Sequence, residues 1–135
     1  FQASFDLMRA LRPHVANPAT YAAQLVRQTA QGYRLLAAWD GEHMVGLAGY
    51  RELENLLYGR FIYVDDLVVS PDLRRSGLGA RLLTAVREEA VQRGCDHFVL
   101  DTGLHMSLAQ RFYFRQGLLA RGMHFTQSLR AEGLV

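Results

Sequence analysis

The stretch that determines the fold class is Val69-Ser70-Pro71-Asp72-Leu73-Arg74-Arg75-Ser76-Gly77-Leu78-Gly79-Ala80. It follows the β-branched and aromatic segment 61–69, which predicts a central strand. It leads into an apolar pattern of helical period. Its two glycines let a ligand approach the backbone, and the first N–H groups of a helix have no partner within the helix. With its two arginines, this strand-to-helix loop is suited to a diphosphate. The other interpretation is a ligand-free loop with solvated arginines, because short glycine motifs also occur without a ligand.

The rest of the chain predicts a mixture of helices and strands around that loop. Helical spacing predicts helices over residues 4–12, 18–31, 78–93 and 104–116. Strands are predicted over residues 33–39, 44–50, 61–69 and 97–100 and within 118–129. Val26, Val91 and Leu108 are among the apolar residues expected to face inward. This order predicts an α/β fold of the mixed α+β kind: one sheet, antiparallel in its first half, with a strand-helix-strand crossover in its second.

Composition narrows the possible functions. The length of 135 residues, half of them hydrophobic, predicts a single globular domain over 1–135. All fifteen basic residues are arginine, so Schiff-base lysine chemistry and the phosphate loop that ends in Gly-Lys-Ser/Thr are excluded. Cys95 is the only cysteine, which excludes an intrachain disulfide and makes a cytoplasmic setting the expectation.

Metal and membrane partners are not expected. The five histidines lack metal-ligand spacing, so we expect no metal. No apolar run is long enough to span a bilayer, and the first residues lack the pattern of a signal peptide. The arginines are scattered among acidic residues, which does not favour a nucleic-acid surface.

Two motifs resemble the GCN5-related N-acetyltransferases, the GNAT superfamily. The loop is similar to the family's acyl-coenzyme A signature, Arg/Gln-x-x-Gly-x-Gly/Ala, which Arg74, Gly77 and Gly79 fill. Residues 109–118 resemble the second signature, which runs from the last helix into the following strand. The resemblance covers roughly residues 33–129. It implies a GNAT-like acyl-CoA N-acyltransferase fold, a central mixed sheet flanked by helices. Since relatives begin with a strand and this chain begins almost at its first helix, we expect the first edge strand to be missing.

The resemblance implies an enzyme that transfers an acetyl or related acyl group from acetyl-CoA to a primary amine, by direct attack in a ternary complex. The pantetheine arm would lie between strands 61–69 and 97–101, with the backbone N–H groups of Leu67 and Val69 facing it, and the diphosphate would lie on the loop. Met106 stands where many relatives carry an asparagine that bonds the cofactor, and we expect Ser107 to substitute in part. The cofactor-binding residues so implied are Leu67, Val68, Val69, Arg74, Arg75, Ser76, Gly77, Leu78, Gly79, Ala80 and Ser107.

Three residues are candidates for proton transfer. Tyr113 occupies the family's tyrosine position and is the candidate acid for the departing thiolate, the alternative being a ring that only packs. Asp65 and Asp66 lie on the strand beside the reacting centre and are candidates to attract and deprotonate the amine. Adjacent strand residues face opposite sides, so we expect at most one of them to enter the site and favour Asp66. A structural role for both is equally compatible, because water serves as the base in some relatives.

Other functions remain open at this point. A catalytically silent acyl-CoA sensor, a fragment of a nucleotide-binding oxidoreductase and an arginine-rich nucleic-acid-binding module are the alternatives. In the oxidoreductase fingerprint a third glycine is needed where Leu82 stands. Acidic residues expected near the acceptor side favour a cationic amine, either a small molecule or a peptide, and a homodimer is compatible with the pattern. Those acidic residues are Glu52, Glu54, Asp65 and Asp66.

Overall fold

The structure, a computed structural model, describes residues 2–130 in two compact units, one ending at Asp101 and one beginning at Thr102. The prediction of a single domain over 1–135 stays a prediction. The first unit contains α1 (Phe5–Leu11), α2 (Pro18–Ala30), β1 (Arg34–Asp40), β2 (His43–Asn55), β3 (Gly59–Val69), α3 (Leu78–Gln92) and β4 (His97–Leu100). The second contains α4 (Ser107–Arg115).

The four strands form one mixed sheet in the order β1-β2-β3-β4. The pairs β1-β2 and β2-β3 are antiparallel, and β3 and β4 are parallel and joined through α3. Gly41 has φ +61° in the turn between β1 and β2, a conformation that favours glycine. These observations confirm the predicted mixed sheet, its crossover and its first hairpin.

Helices cover both faces of the sheet. Leu47 belongs to the core formed with α1 and α2, whereas a Cβ added to its neighbour Gly46 would meet Leu78 and Leu82 of α3. Alternate residues of a strand face opposite sides, so α3 lies on the face opposite α1 and α2. The core on the α1 side comprises Phe5, Met8, Tyr21, Leu25, Tyr33, Leu47 and Val68. The buried residues of α3 are Leu78, Leu82, Leu83, Val86 and Ala90.

The helix ends follow local sequence signals. The Asn17 side chain accepts hydrogen bonds from the N–H groups of Ala19 and Thr20, at 2.9 and 3.1 Å, and Pro18 begins α2. The predicted inward orientation of Val26 and Val91 is wrong, because these side chains are 61% and 72% exposed. Each stands one position beyond a buried residue, and one step along a helix turns a side chain out of the narrow buried stripe.

The second unit departs most from prediction. Helix α4 begins at Ser107 and not at residue 104, and Leu108 is exposed, not inward. Gly117, with φ +90°, follows the helix end as expected. The strand predicted within 118–129 is wrong, since the described residues of that segment form no strand pairing and Phe125 and Leu129 are exposed. Apolar alternation alone does not make a strand, which needs a neighbour for its backbone hydrogen bonds. None of the described helices has the length and apolar character required to cross a membrane.

Candidate active site

Strand β3 continues beyond the end of its partner β4. The last pair in their register joins Val64 to Leu100, where β4 ends, whereas β3 runs on to Val69. Residues 65–69 therefore have β2 on one side and, on the other, an edge that β4 does not cover. We refer to this edge of residues 65–69 as the open edge.

Backbone register determines which N–H groups face the open edge. The Ser70 N–H donates to the Val45 carbonyl at 2.8 Å, so residue 70 belongs to the set of β3 residues bonded to β2. In an antiparallel pair, bonded residues alternate with residues whose peptide groups point away. Leu67 and Val69 thus direct their N–H groups to the open edge. Val68 directs its N–H toward β2 and buries its side chain in the α1-side core.

A β-bulge interrupts β3 at Asp65. Asp66 pairs with Gly49 and Val64 pairs with Tyr50, which leaves Asp65 as the extra residue. The Asp65 carboxylate bonds Arg51 and the Asp66 carboxylate accepts from Tyr33, both on the α1 side of the sheet. The premise that Asp65 and Asp66 face opposite sides is therefore wrong, because the bulge breaks the alternation, and the expectation that at most one of them enters the site stays a prediction.

Both carboxylates are engaged by cationic or phenolic donors. Arg51 donates from Nε and Nη2 to the two Asp65 oxygens, each at 2.8 Å. Arg12, the C-cap residue of α1, donates from Nε to Asp66 Oδ1 at 3.2 Å and from Nη2 to the Asp65 carbonyl oxygen at 2.7 Å. The Tyr33 hydroxyl donates to Asp66 Oδ2 at 2.8 Å. Both carboxylates thus already have donors within the protein, and the catalytic roles of Asp65 and Asp66 stay predictions.

Electrostatics agree with this pairing. The hydrogen bonds that Arg51 donates to Asp65 raise the pKa of Arg51, and the nearby carboxylate of Asp66 adds to this rise. Burial, and then the charge of Asp66, raise the pKa of Tyr33 far above its ordinary value. The roles of Arg12, Arg51 and Tyr33 were not predicted from the sequence. The available signal was that two adjacent carboxylates in an otherwise apolar strand need donors.

The predicted diphosphate loop lies directly after the open edge. A single turn of 3-10 helix, Pro71–Leu73, follows β3, and residues 74–77 are exposed. Gly77 precedes α3 with φ +86° and has no side chain to cap the helix. A Cβ at Gly77 would meet no atom within 4 Å. The Ser76 hydroxyl accepts from the Leu78 N–H at 3.3 Å and donates to the Leu73 carbonyl, which folds the loop on itself.

The loop fits an anionic group by its own chemistry. Arg74 and Arg75 are exposed and adjoin the N-terminus of α3, which begins at Leu78, while Gly79 and Ala80 supply N–H groups in its first turn. Open space at Gly77 and two guanidinium groups match the needs of a diphosphate.

The second unit carries two of the predicted site residues. Tyr113 lies in α4, and burial raises the pKa of its phenol, which keeps the group protonated at neutral pH. Ser107 is the first residue of α4 and is exposed.

Other candidate groups lie away from the open edge. Glu52, expected near the acceptor side, accepts from Arg60 and Arg93 at 3.2 and 3.3 Å on the α3 side of the sheet. Burial raises the pKa of the Cys95 thiol, which disfavours the thiolate that a nucleophile requires. Within residues 2–130, no three or more His, Cys, Asp or Glu side chains are grouped to hold a metal ion.

A family model and curated relatives match this sequence. A family model described as "Acetyltransferase (GNAT) family" matches residues 2–118. A thialysine N-epsilon-acetyltransferase from Sus scrofa is 37% identical over 61 residues, which cover 45% of this chain and 36% of that protein. An aminoalkylphosphonate N-acetyltransferase from Salmonella typhimurium is 35% identical over 98 residues, which cover 72% of this chain and 62% of that protein. The chain thus spans from 36% to 62% of the length of these curated relatives.

A solved structure shares the fold. The structure of AAC(6')-Iy in complex with the bisubstrate analogue CoA-S-monomethyl-acetylneamine has a TM-score of 0.82 at 17% identity. The match covers 96% of this chain and 91% of that chain. At this identity the likeness concerns the fold, and it confirms the predicted arrangement of a mixed sheet flanked by helices.

Proposed function

Because the chain belongs to the acetyltransferase (GNAT) family, we propose that it is an N-acetyltransferase that transfers an acetyl group from acetyl-CoA to a primary amine. The proposed route is direct attack by the amine in a ternary complex. The C–N bond forms as the C–S bond breaks, and coenzyme A leaves as the thiol.

The observation that carries the proposal is the continuity of the open edge with the loop. Leu67 and Val69 direct N–H groups to an edge that β4 leaves uncovered, and the loop before α3 follows within a few residues. Extended backbone donors suit the amide-containing pantetheine arm, and the loop suits the diphosphate. In this proposal, Arg74, Arg75, Ser76, Gly77, Leu78, Gly79 and Ala80 hold the diphosphate end, and Ser107 adds a contact.

The chain's own groups would assist the reaction in three ways. An N–H group on the open edge donates to the thioester carbonyl oxygen as negative charge develops there, and fixed donors are most effective at that moment. Tyr113 supplies the proton to the departing thiolate, and its raised pKa keeps it protonated at neutral pH. Asp66, or Asp65, would draw the cationic amine toward this side of the sheet and accept the proton that the amine must lose before it attacks. The second proton, released from the nitrogen as the amide forms, restores the Tyr113 phenol.

Thiol release from acetyl-CoA in the presence of amines tests the activity, and calorimetry with coenzyme A tests binding. The two curated relatives suggest the first amines to try, thialysine and an aminoalkylphosphonate, followed by diamines and short peptides. We expect amine-dependent thiol release and saturable binding of coenzyme A. Binding without release for any amine would favour the silent acyl-CoA sensor, and absence of both would refute the proposal.

Arginines of the loop provide a sharper binding test. Replacing Arg74 and Arg75 together by glutamine removes two charges that adjoin the proposed diphosphate. Arg27, exposed on α2, gives the matched control Arg27→Gln. Coenzyme A affinity should fall about 10-fold or more in the loop variant, as expected for lost charge-assisted bonds. It should be unchanged in the control.

A further inference from the structure

We infer that Arg12 and Arg51 are positioning residues that hold the bulge at Asp65 and thereby determine which N–H groups face the open edge. We call the two arginines together the arginine clamp. The inference rests on the proposed function, because it assigns the clamp an effect on acetyl transfer.

The bulge changes which residues of β3 present their peptide groups away from β2. Before it, the Arg60 N–H donates to Asp96 Oδ2 and the Arg60 carbonyl accepts from the Asp96 N–H, so residue 60 faces the β4 side. Alternation then directs residues 62 and 64 to that side as well. After the bulge, Leu67 and Val69 face it. Without the extra residue, the even-numbered positions 66 and 68 would take their place.

A bulge needs support because it removes backbone groups from the ladder. The Asp65 carbonyl oxygen accepts from Arg12 Nη2 at 2.7 Å, so the side chain of the residue that follows α1 satisfies this group of the bulged residue. The Asp65 carboxylate is held in a two-point pair by Arg51, which comes from the neighbouring strand β2. The same Arg12 guanidinium bonds Asp66, whose other oxygen accepts from the buried Tyr33.

The clamp thus joins three separate elements at one residue of β3. Arg12 is at the end of α1, Arg51 is on β2 and the bulge is on β3. Two-point arginine-carboxylate pairs restrict orientation as well as adding energy. Loss of either arginine frees the bulge to shift, and the N–H groups at the open edge then lose their fixed direction.

The expected consequence is a larger loss of turnover than of coenzyme A binding. The loop before α3 is unchanged in Arg12→Gln and Arg51→Gln, so the affinity for coenzyme A should fall by no more than about 5-fold, the equivalent of one neutral hydrogen bond to the pantetheine arm. Turnover at saturating substrates should fall about 10-fold or more, the rate equivalent of one hydrogen bond to a charged group. A purely structural role would lower stability and leave turnover of the folded enzyme unchanged.

The experiment compares wild type, Arg12→Gln, Arg51→Gln and the control Arg9→Gln. Arg9 is an exposed arginine of α1, the helix that Arg12 follows as its C-cap. Three measurements are made on each: kcat by thiol release, coenzyme A affinity by calorimetry, and amide hydrogen exchange at Val68 and Leu83. Val68 bonds to β2 just beyond the bulge, whereas Leu83 in the core of α3 reports general destabilisation.

The expected result is a lowered kcat and faster exchange at Val68 but not at Leu83, in both clamp variants and not in Arg9→Gln. Unchanged exchange at Val68 would show that the arginines do not hold the bulge and would overturn the inference. Unchanged kcat with faster exchange would overturn their effect on the reaction. If the wild type itself releases no thiol, the proposed function fails, and the effect of the arginines on acetyl transfer fails with it. The hydrogen exchange at Val68 still tests whether the arginines hold the bulge.

Discussion

Gly77 is the position where a single added methyl group best separates binding from folding. It precedes α3 with φ +86°, and a Cβ built there meets no protein atom within 4 Å. Gly77→Ala therefore introduces backbone strain without an internal clash. In the proposed complex, however, the methyl group enters the space beside the diphosphate and displaces the loop N–H groups from it.

The two effects differ in size. A left-handed conformation costs a residue with a Cβ roughly 1–2 kcal/mol, and alanine returns about 0.4–1 kcal/mol by restricting the unfolded chain. The free energy of unfolding should thus fall by about 1 kcal/mol, which corresponds to a Tm about 4 °C lower for a chain of this length. Loss of one charge-assisted bond to a phosphate should weaken coenzyme A binding about 10-fold or more.

Gly41 supplies the matched control. It has φ +61° in the hairpin between β1 and β2, and a Cβ there also meets nothing within 4 Å. Gly41→Ala should therefore lower the Tm by a similar amount and leave coenzyme A affinity unchanged. Calorimetric titration and thermal unfolding of both variants are the assays. Equal affinities in Gly77→Ala and Gly41→Ala would refute the assignment of the loop to the diphosphate.

Three further predictions concern the proton donor, the packing at the site and alkaline stability. Tyr113→Phe should lower kcat in the thiol-release assay by about 100-fold while coenzyme A affinity is unchanged; an unchanged kcat would assign the ring to packing. Gly49→Ala would place its Cβ on the buried Tyr33 hydroxyl and should cost about 2–4 kcal/mol in urea unfolding. Gly46→Ala, where a Cβ meets leucine side-chain ends at 3.0 and 3.1 Å and the Val68 carbonyl oxygen at an ordinary 3.5 Å, should cost less, and equal costs would contradict the clash. Since the folded pKa of Tyr33 is raised, its stabilising contribution is complete below about pH 10 and is lost as the pH rises beyond the unfolded value. The free energy of unfolding should therefore decline above about pH 10, less steeply in Tyr33→Phe, and an equal decline in that variant would refute the assignment.

Most of the first unit followed from local sequence. The cap at Asn17, the turn at Gly41 and the period change at Leu78 each placed an element boundary within a few residues of the observed one. Such signals depend on neighbouring residues alone, so they can be recognised without knowledge of the fold. The segment 118–129 failed because a strand depends on a partner, and no local pattern supplies one.

The residues of the candidate site also differ in whether the local sequence could reveal them. The loop from Arg74 to Ala80 was recognisable because its glycines, arginines and helix start are consecutive in the chain. The arrangement around Asp65 was not, because Arg12 and Asp66 are 54 positions apart and Arg51 and Asp65 are 14 apart. A bulge is a property of register between two strands, and register is set by packing across the whole sheet.

The sequence by itself determined the order of elements, the mixed sheet, the absence of lysine chemistry and the loop suited to a diphosphate. Only the tertiary structure decided that both carboxylates of β3 lie on one face and that two distant arginines and Tyr33 hold them. The family resemblance implies the direction of the Leu67 and Val69 N–H groups, and the register of β3 with β2 explains it. The physical reason is the distance along the chain over which each kind of interaction acts. Helix caps, turns and periodicity arise from interactions between near neighbours, whereas the direction of a strand's N–H groups depends on how distant segments pair and on the side chains that hold them in register.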